Sequence, residues 1–369
     1  MKVVFVSYNN QSGYDSPPSW LEKIKTFAAL MEGLAMHCNV SYIKQINYEG
    51  AYLQNGVEYV FLKSKYKKSR WPHQINNKVK KSQPDIVIVS GIRSPLQILQ
   101  LRWQLSKKVM MVGRHHHDRP PKGIRKFLQR QADKCFNAYL FTSRGNAAEW
   151  KEAGIIKRDK KIYELVEAST ALTRQDKERS KQQTGMTVNK NFLWVSRLIP
   201  VKDPLTVLKA FEQYLLSEPQ ARLYMIYDAE DLLPAVKEMI NQSEALRRSV
   251  ILKGYMPNNE LPVWYSAADF YISGSHAEGG SYALLEAMAC GCIPIVTDIP
   301  AALKMTGNGQ YGIVFKTGDA DDLVAKLNGL SSIDQNKFSV SVQEYFQKEL
   351  SSLAIAAKLY GYCKDLLAE

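Results

Sequence analysis

The sequence predicts two α/β domains, each built on a doubly wound parallel sheet. Strand-like apolar runs alternate with amphipathic helical patterns along the whole chain, which is the pattern of parallel sheets covered by helices on both faces. The alternation stops at a polar stretch over residues 171–190 and then restarts. With 369 residues the chain is long enough to bury two cores. We therefore predict a first domain over 1–170, a linker over 171–190 and a second domain over 191–343.

Runs rich in β-branched and aromatic residues predict the strands. In the first half they are Lys2 to Tyr8, Asn39 to Gln45, Val57 to Lys63, Asp85 to Gly91, Lys108 to Arg114 and Ala138 to Ser143. In the second half they are Asn191 to Arg197, Ala221 to Asp228, Ser249 to Gly254, Ala268 to Gly274 and Cys292 to Asp298, followed by a closing strand within Tyr311 to Leu323. Helical patterns lie between them, for example over Ser19 to Met36, and a last helical run covers 344–369. Ligands of such sheets bind at the carboxyl ends of the strands, so a cleft between the domains is the expected site.

The net charge of +13 is unevenly distributed. Residues 1–170 hold 29 Lys and Arg against 13 Asp and Glu, a net +16, which leaves 20 against 23, or −3, for the rest. The excess is densest over Lys63 to Lys81 and Arg114 to Lys134. Such runs are either a solvated face or a contact for an anionic partner, whether acidic lipid, nucleic acid or charged glycan.

The start of the chain and the cysteines indicate an ordinary reduced globular protein. The first residues turn polar without a cleavage site, so they are interpreted as a first strand and not a signal peptide. No segment approaches the ~20 apolar residues that span a bilayer. The five cysteines show no metal-ligand spacing, and Cys290-Gly-Cys292 is too weak a signal. We expect a cytoplasmic protein with free thiols and no metal.

Two carboxylates, Glu278 and Glu286, lie among small and apolar residues in SHAEGGSYALLEAMACGCIPIV. The pattern predicts a helix between two strands, capped by Ser281 and ended by Gly291. Glu278 is then in the loop at the carboxyl end of a strand, and Glu286 is a little over one turn into the helix. Each carboxylate is either paired or bound by a ligand, or it interacts with the helix dipole and reaches water.

Three further motifs follow predicted strands. Gly279 and Gly280 allow backbone amides to approach an anionic or polyhydroxylated ligand. Arg197 and Lys202 are suited to a diphosphate, because arginine offers a bidentate fork and lysine a point charge. The third motif is the end of another predicted strand at Gly254, where we expect the backbone of Tyr255 and Met256 to be exposed.

The order of these motifs resembles the nucleotide-sugar-binding domain of family-four glycosyltransferases, which are retaining enzymes of the GT-B fold. The resemblance covers Asn191 to Leu330 and includes the paired-glutamate signature, Glu278 with Glu286, and the diphosphate clamp, Arg197 with Lys202. It implies two Rossmann-like domains that face each other across a cleft. The C-terminal helix is expected to return to the first domain.

The resemblance also implies roles for single residues. Glu286 would hold the ribose hydroxyls, and Glu278 would hold the donor sugar near the transferred position. Arg197 and Lys202 would stabilise the departing diphosphate. The other donor-binding residues that it implies are Gly279, Gly280, Ser281, Tyr282, Gly254, Tyr255 and Met256.

The first domain departs from the family pattern. Members commonly carry a glycine pair after the first strand, whereas only Gly13 occurs here. A histidine run follows a later strand, where the family has an inward-facing histidine; His117 matches best and His116 next. A surface polar cluster or an adventitious metal site is the alternative. The family usually carries an Asn-Gly-Val-Asp-like turn after the strand that corresponds to Lys161 to Thr170, and that turn is absent here. We therefore expect the acceptor side of the site to differ from that of the family.

These expectations define a retaining hexosyltransferase that uses a nucleoside-diphosphate sugar, with UDP favoured over GDP. The acceptor is a hydroxyl, lipid-linked or anionic, in cell-surface polysaccharide or glycolipid synthesis. No metal or other cofactor is implied, because the Arg197 and Lys202 charges neutralise the diphosphate. The basic first domain would contact a membrane peripherally, and no nucleic acid partner is expected.

Two alternatives remain open at this point. A GT-B phosphorylase or epimerase would share the fold. A phosphorylase would use inorganic phosphate in place of the nucleotide, so release of nucleoside diphosphate from a donor would exclude it. A non-catalytic protein could instead use the basic domain to bind nucleic acid or another anionic surface, with an affinity that falls steeply with salt.

Overall fold

The computed structural model describes residues 1–63, 73–116, 119–167 and 169–368. The chain divides into two compact units, one of Met1–Ser169 with Ser352–Glu369 and one of Thr170–Ser351. Each unit is an α/β domain on a mainly parallel sheet, which confirms the predicted fold class.

The first unit contains an eight-stranded sheet in the order β3-β4-β2-β1-β5-β6-β7-β8. Neighbouring strands are parallel except for β3 and β4. Helices α3 to α6 share one buried core with one face of this sheet. The elements are β1 (Lys2–Val6), α1 (Pro17–Lys23), α2 (Lys25–Ala35), β2 (Asn39–Ile46), β3 (Gly50–Gln54), β4 (Val57–Lys63), α3 (His73–Lys81), β5 (Ile86–Ser90), α4 (Pro95–Gln104), β6 (Met110–Arg114), α5 (Gly123–Asp133), β7 (Ala138–Phe141), α6 (Arg144–Glu152) and β8 (Lys161–Glu164).

The second unit contains a six-stranded parallel sheet in the order β11-β10-β9-β12-β13-β14. Its central strands are buried on both faces, as their continuous apolar runs predict. The elements are α7 (Lys177–Thr184), β9 (Asn191–Ser196), α8 (Pro204–Tyr214), β10 (Arg222–Tyr227), α9 (Leu233–Gln242), α10 (Glu244–Ser249), β11 (Val250–Gly254), α11 (Leu261–Ala267), β12 (Phe270–Ser273), α12 (Tyr282–Ala289), β13 (Ile293–Thr297), α13 (Pro300–Met305), β14 (Ile313–Phe315), α14 (Ala320–Asn328) and α15 (Gln335–Tyr345).

The last helix, α16 (Ser352–Leu367), packs in the first unit against α2. The two helices approach closely at Gly33, where an added Cβ would lie 2.9 Å from the Cβ of Ala356. Tyr362 stacks on Tyr163 with ring centroids 4.4 Å apart. Among the described helices none is both long and apolar enough to cross a bilayer.

Four segments differ from their predicted form. Residues 19–36 form two helices that meet at Ile24, and the edge strand β3 was not predicted. The stretch 171–190 contains α7, which packs on α11 within the second unit. The run 344–369 is broken, because a π-helical turn over Phe346–Leu350 ends at Ser351, whose backbone is extended.

Candidate active site

The loop after β12 and the start of α12 form the centre of the site. Ser281 caps α12, since its Oγ accepts a hydrogen bond from the backbone N–H of Leu284 at 3.3 Å. Gly291 follows the helix with φ at +76°, a conformation that favours glycine. The cap and the end of this helix are therefore as the sequence predicts, with Glu278 in the loop and Glu286 inside the helix.

Glu278 forms an ion pair with Lys202, which lies 76 residues earlier in the chain. Lys202 ends a short 3-10 turn after β9, and β9 is the sheet neighbour of β12. The two side chains are only 12% and 13% exposed. Ser275 Oγ also donates a hydrogen bond to Glu278 Oε1, at 2.9 Å. Adjacent parallel strands thus bring two of the predicted site residues together.

Glu278 is paired within the protein, which is one of the alternatives that the sequence leaves open. Lys202 and Ser275 both contact Oε1, and Oε2 takes part in neither contact. Two charges removed from water stabilise each other only while both are present, because loss of one leaves the other buried and uncompensated. The pair therefore fixes Lys202 and Glu278 in place before a ligand arrives.

Glu286 accepts a hydrogen bond from Tyr265 Oη to its Oε2, at 3.1 Å. Tyr265 is fully buried in α11. Burial, and then the negative charge of Glu286, raises the pKa of Tyr265 well above its ordinary value, so the phenol remains a hydrogen-bond donor. Sequence spacing did not reveal this partner, because it comes from a helix that precedes the strand before α12.

A small pocket lies directly beside Glu278. Its polar lining includes Ser273, Ser275 and the cap residue Ser281. Burial, followed by the charge of Glu278, raises the pKa of the lining phenol of Tyr271. The remaining lining residues are Leu284, Val296, Thr297, Ile299, Ala301, Ala302 and Met305. The pocket combines an apolar wall with a few hydroxyl groups and one carboxylate.

The other predicted donor-side residues lie at the same carboxyl edge of the sheet. Arg197 is exposed just after β9, and within the described ranges no carboxylate forms an ion pair with it. Gly254 ends β11 with φ at +70°, and Tyr255 after it is exposed. Two strands, β10 and β9, separate β11 from β12. Tyr282, in the first turn of α12, is also exposed.

A close backbone contact holds the Lys202 turn against the end of β12. A Cβ added at Gly274 would lie 2.7 Å from the carbonyl oxygen of Asp203. The backbone N–H of His276 donates to the carbonyl of Val201 at 2.8 Å, and its ring Nε2 is 2.8 Å from Asp203 Oδ2. Neither Asp203 nor His276 was predicted as a site residue. Their contacts show how the loop that carries Glu278 is joined to the turn that carries Lys202.

Gly274→Ala is expected to destabilise the protein by about 1–3 kcal/mol, because the new methyl overlaps a backbone oxygen that cannot move alone. Gly13→Ala is the matched control: an added Cβ there meets nothing within 4 Å, and we expect a change within about 0.5 kcal/mol. Urea denaturation of both variants measures the difference. Equal midpoints for the two would show that the loop accommodates the side chain.

In the first unit the histidine run divides between core and edge. His115 is buried and stacks on Phe141, with ring centroids 4.5 Å apart. His116 is half-buried, and its Nε2 lies 3.1 Å from a guanidinium nitrogen of Arg114. His117, which the resemblance favours, lies outside the described residues. Gly13 is exposed and has no close neighbour that would require a glycine.

Glu167 is a partner of His116 that sequence reasoning missed. Its Oε2 lies 3.6 Å from His116 Nδ1, and its backbone carbonyl accepts a hydrogen bond from Arg114 at 2.5 Å. Burial alone would raise the pKa of Glu167, but the hydrogen bond from His116 and the positive charge of Arg114 outweigh it and hold that pKa below its ordinary value. The carboxylate thus stays charged beside His116.

This lowered pKa predicts an acid-dependent contribution to stability. A carboxylate whose folded-state pKa is depressed stabilises the protein above its ordinary pKa of 4.5, and this stabilisation is lost as the pH falls through the lower folded-state pKa. We expect Glu167→Gln to destabilise the protein at neutral pH and to converge with the wild type at acid pH. Glu152→Gln, at an exposed position of α6, is the control and should shift stability little at any pH. Parallel curves for wild type and Glu167→Gln would contradict the assignment.

The basic runs are only partly described. Residues 64–72 of the first run lie outside the described ranges, and Lys78, Lys80 and Lys81 are exposed on α3. In the second run, Arg119, Lys122 and Arg125 are exposed, whereas Arg114 is buried.

The fold of the chain is GT-B, as predicted. Its structure matches that of Anabaena Alr3699/HepE in complex with UDP with a TM-score of 0.71 at 15% identity, over 99% of this chain and 100% of that one. At this identity the likeness shows the fold alone.

A family model matches the sequence of the second unit. Residues 176–348 match the family model of glycosyl transferases group 1. This match covers the part of the chain that holds Lys202, Glu278 and Glu286, and it confirms the predicted family resemblance.

Two curated relatives each match less than half of the chain. An alpha-monoglucosyldiacylglycerol synthase of Streptococcus pneumoniae is 27% identical over 181 residues, 48% of this chain and 39% of the relative. A poly(glycerol-phosphate) alpha-glucosyltransferase of Bacillus subtilis is 34% identical over 156 residues, 42% of this chain and 23% of the relative. The chain thus covers well under half the length of these relatives.

Proposed function

We propose that the protein is a retaining glycosyltransferase that moves a hexose from a nucleoside-diphosphate sugar to a hydroxyl acceptor. The observation that carries the proposal is the nearly buried Lys202–Glu278 pair at the carboxyl ends of β9 and β12, in a segment that matches glycosyl transferases group 1. A phosphorylase or a non-catalytic binder has no comparable observation in its favour.

The proposed chemistry needs cations where the leaving group forms. The bond between the anomeric carbon and the donor's phosphate oxygen breaks, and the acceptor oxygen bonds to that carbon on the same face. The acceptor's proton passes to the departing phosphate. Lys202 and Arg197 stabilise the negative charge that grows on the diphosphate, so the mechanism requires no metal.

The two glutamates have different tasks in this proposal. Glu278 Oε1 holds Lys202, and we assign its Oε2 to a hydroxyl of the donor sugar. Glu286, fixed by Tyr265, accepts hydrogen bonds from the ribose hydroxyls. The amides of Gly279, Gly280 and Ser281 contact the sugar and the distal phosphate.

We favour UDP as the nucleotide and a lipid-linked or anionic hydroxyl as the acceptor. The support for UDP is the fold likeness to a protein solved with UDP, and the support for the acceptor is the names of the two curated relatives. A cytoplasmic location at a membrane surface would give access to both substrates.

A thermal-shift series with UDP, GDP and ADP and their sugars tests the nucleotide. A ligand at a hundredfold excess over its dissociation constant stabilises a protein by about 2.7 kcal/mol, so the preferred nucleotide is identified directly. Release of that nucleotide from its sugar, with the product's anomeric configuration read by NMR, tests transfer and retention. Turnover that requires inorganic phosphate would indicate a phosphorylase, and the absence of any nucleotide effect would overturn the proposal.

A further inference from the structure

A row of buried polar side chains lies near the carboxyl ends of four adjacent strands of the first unit. The strands are β2, β1, β5 and β6, and the residues, in the same order, are Lys44, Ser7, Ser90 and Arg114. We call these four residues the Lys44 row. Each of them is only 3–6% exposed. Two cations and two hydroxyls are thus buried side by side at one edge of the sheet.

The Lys44 row lies on the face of the sheet that α2 covers. Tyr42, two residues before Lys44, contacts the ring of Phe27 on α2, so Lys44 points to the same face. The guanidinium of Arg114 lies 4.2 Å from the centroid of the Phe27 ring. The two serines are cross-strand neighbours of these cations, and neighbours in register share a face.

Lys44 is a buried cation that no acidic side chain of the described residues neutralises. Its Nζ donates a hydrogen bond to Ser7 Oγ at 3.1 Å and lies 5.2 Å from the centroid of the Trp20 ring. Burial lowers the pKa of Lys44 to about 8, so the amine is still mostly charged at neutral pH. A buried charge without a counter-charge lowers the free energy of unfolding, because nothing offsets its desolvation.

Two hydrogen-bonding groups beside Lys44 have no partner within the described ranges. They are the buried Nε1 of Trp20 and the buried Oγ of Ser90. Ser7 accepts from Lys44 and keeps its own hydroxyl proton to donate. Adjacent strands are about 4.8 Å apart, so Lys44 and Ser90 flank Ser7 from either side. An ammonium, an indole N–H and two hydroxyls therefore surround one small region.

The other end of the Lys44 row already has an acidic neighbour. Arg114 donates to the backbone carbonyl of Glu167, and the Glu167 carboxylate lies beside His116. Arg114 and His116 help to hold the pKa of Glu167 below its ordinary value. A further negative charge is therefore expected at the Lys44 end, where the donors have no acidic partner among the residues described.

We propose that Lys44, Ser7, Ser90 and Trp20 form a binding site for a phosphate group. The phosphate oxygens would accept hydrogen bonds from all four side chains, and the negative charge would offset the buried ammonium. Residues 9–13, which follow β1, are mostly exposed and polar, so this loop is the segment that moves to admit the ligand. Two sources supply such a group: an organic molecule that carries a phosphate, and free inorganic phosphate. The inference stands whether or not the chain transfers sugars.

Lys44→Met tests the charge, with calorimetry and thermal shifts in inorganic phosphate against chloride at equal ionic strength. Phosphate is expected to bind the wild type and raise its melting temperature. Hydrogen bonds to charged groups are worth about 1.5–3 kcal/mol, so Lys44→Met should bind phosphate about tenfold to a hundredfold more weakly. In chloride it should melt above the wild type, because it lacks the unpaired buried charge. Lys23→Met, at an exposed position of α1, is the control and should change neither result.

Ser90→Ala is a second variant that leaves the charge in place. Its hydroxyl has no protein partner within the described part of the chain, so its loss should not lower the melting temperature in chloride. Phosphate affinity should fall by about two- to tenfold. Arg197→Ala should keep the phosphate effect, which would show that the ion does not bind at the diphosphate clamp of the second unit. The UDP thermal shift reports on that unit independently of phosphate.

Glycerol 3-phosphate distinguishes the two sources of the phosphate. Tighter binding than that of inorganic phosphate would assign the site to an organic phosphate, and equal or weaker binding would assign it to the free ion. Either result supports the site if Lys44→Met abolishes it. Equal melting temperatures of the wild type in phosphate and chloride would overturn the inference. Equal phosphate affinity of the wild type and Lys44→Met would also overturn it, because Lys44 would then serve only in packing.

Discussion

Lys202→Met is expected to lower kcat for sugar transfer by about 10²- to 10³-fold, the loss usual when one group that stabilises transition-state charge is removed. Lys202 is nearly buried at the carboxyl end of β9, where charge on a departing diphosphate would be poorly screened by water. The effect should appear in kcat and in kcat/KM together, because the charge grows during the reaction. Steady-state kinetics with the preferred donor measures it.

The same substitution also leaves Glu278 without its cation, so stability must be separated from catalysis. The double variant Lys202→Met with Glu278→Gln removes both charges, and we expect it to recover most of the stability that the single variant loses. It should not recover activity. Recovery of both would mean that Lys202 acts only by neutralising Glu278.

Arg197 offers the complementary control within the same clamp. Its side chain is exposed, so Arg197→Ala should change the free energy of unfolding by no more than about 0.5 kcal/mol. The substitution should still reduce transition-state stabilisation by more than ~2 kcal/mol, which lowers kcat/KM about thirtyfold. Added magnesium should rescue neither variant, and strict dependence of the wild type on a divalent metal would contradict the proposed clamp.

The periodicity of the sequence predicted most of the fold, since interior parallel strands must be continuous apolar runs. It missed features that periodicity does not encode. The edge strand β3 buries little of its length, and α7 is almost entirely polar, so its cap Asp176 and its terminal Gly185 were the only signals of a helix. The break at Ile24 has no glycine or proline to mark it.

The positions of site residues at strand ends were predictable from the sequence. The contacts between individual side chains were not. Lys202 and Glu278 follow the adjacent parallel strands β9 and β12, whose carboxyl ends lie at one edge of the sheet, so the two residues are close together. The Tyr265–Glu286 and Glu167–His116 contacts depend on packing between elements that are not consecutive, which spacing along the chain cannot show. The roles of Gly13 and His117 stay predictions.

The largest effect on donor binding is expected from Glu286→Ala. Hydrogen bonds to a charged group are worth about 1.5–3 kcal/mol, so loss of the ribose contacts should raise KM for the donor by roughly tenfold to a hundredfold. These contacts are the same in the ground state and the transition state, so kcat should change little. Calorimetry should show the same loss of affinity for the free nucleoside diphosphate, which contains the ribose but not the transferred sugar.

Glu278→Gln should behave in the opposite way, because its assigned contact is to the sugar that reacts. It keeps the shape of the side chain but leaves Lys202 without its carboxylate partner, so kcat is expected to fall while nucleoside diphosphate affinity does not fall below that of the wild type. Tyr265→Phe is the matched control for Glu286: it removes only the hydroxyl that fixes the carboxylate, so KM should rise by less than in Glu286→Ala. A Glu286→Ala enzyme with wild-type nucleotide affinity would contradict the ribose assignment, because the carboxylate would then serve only to bond the buried phenol of Tyr265.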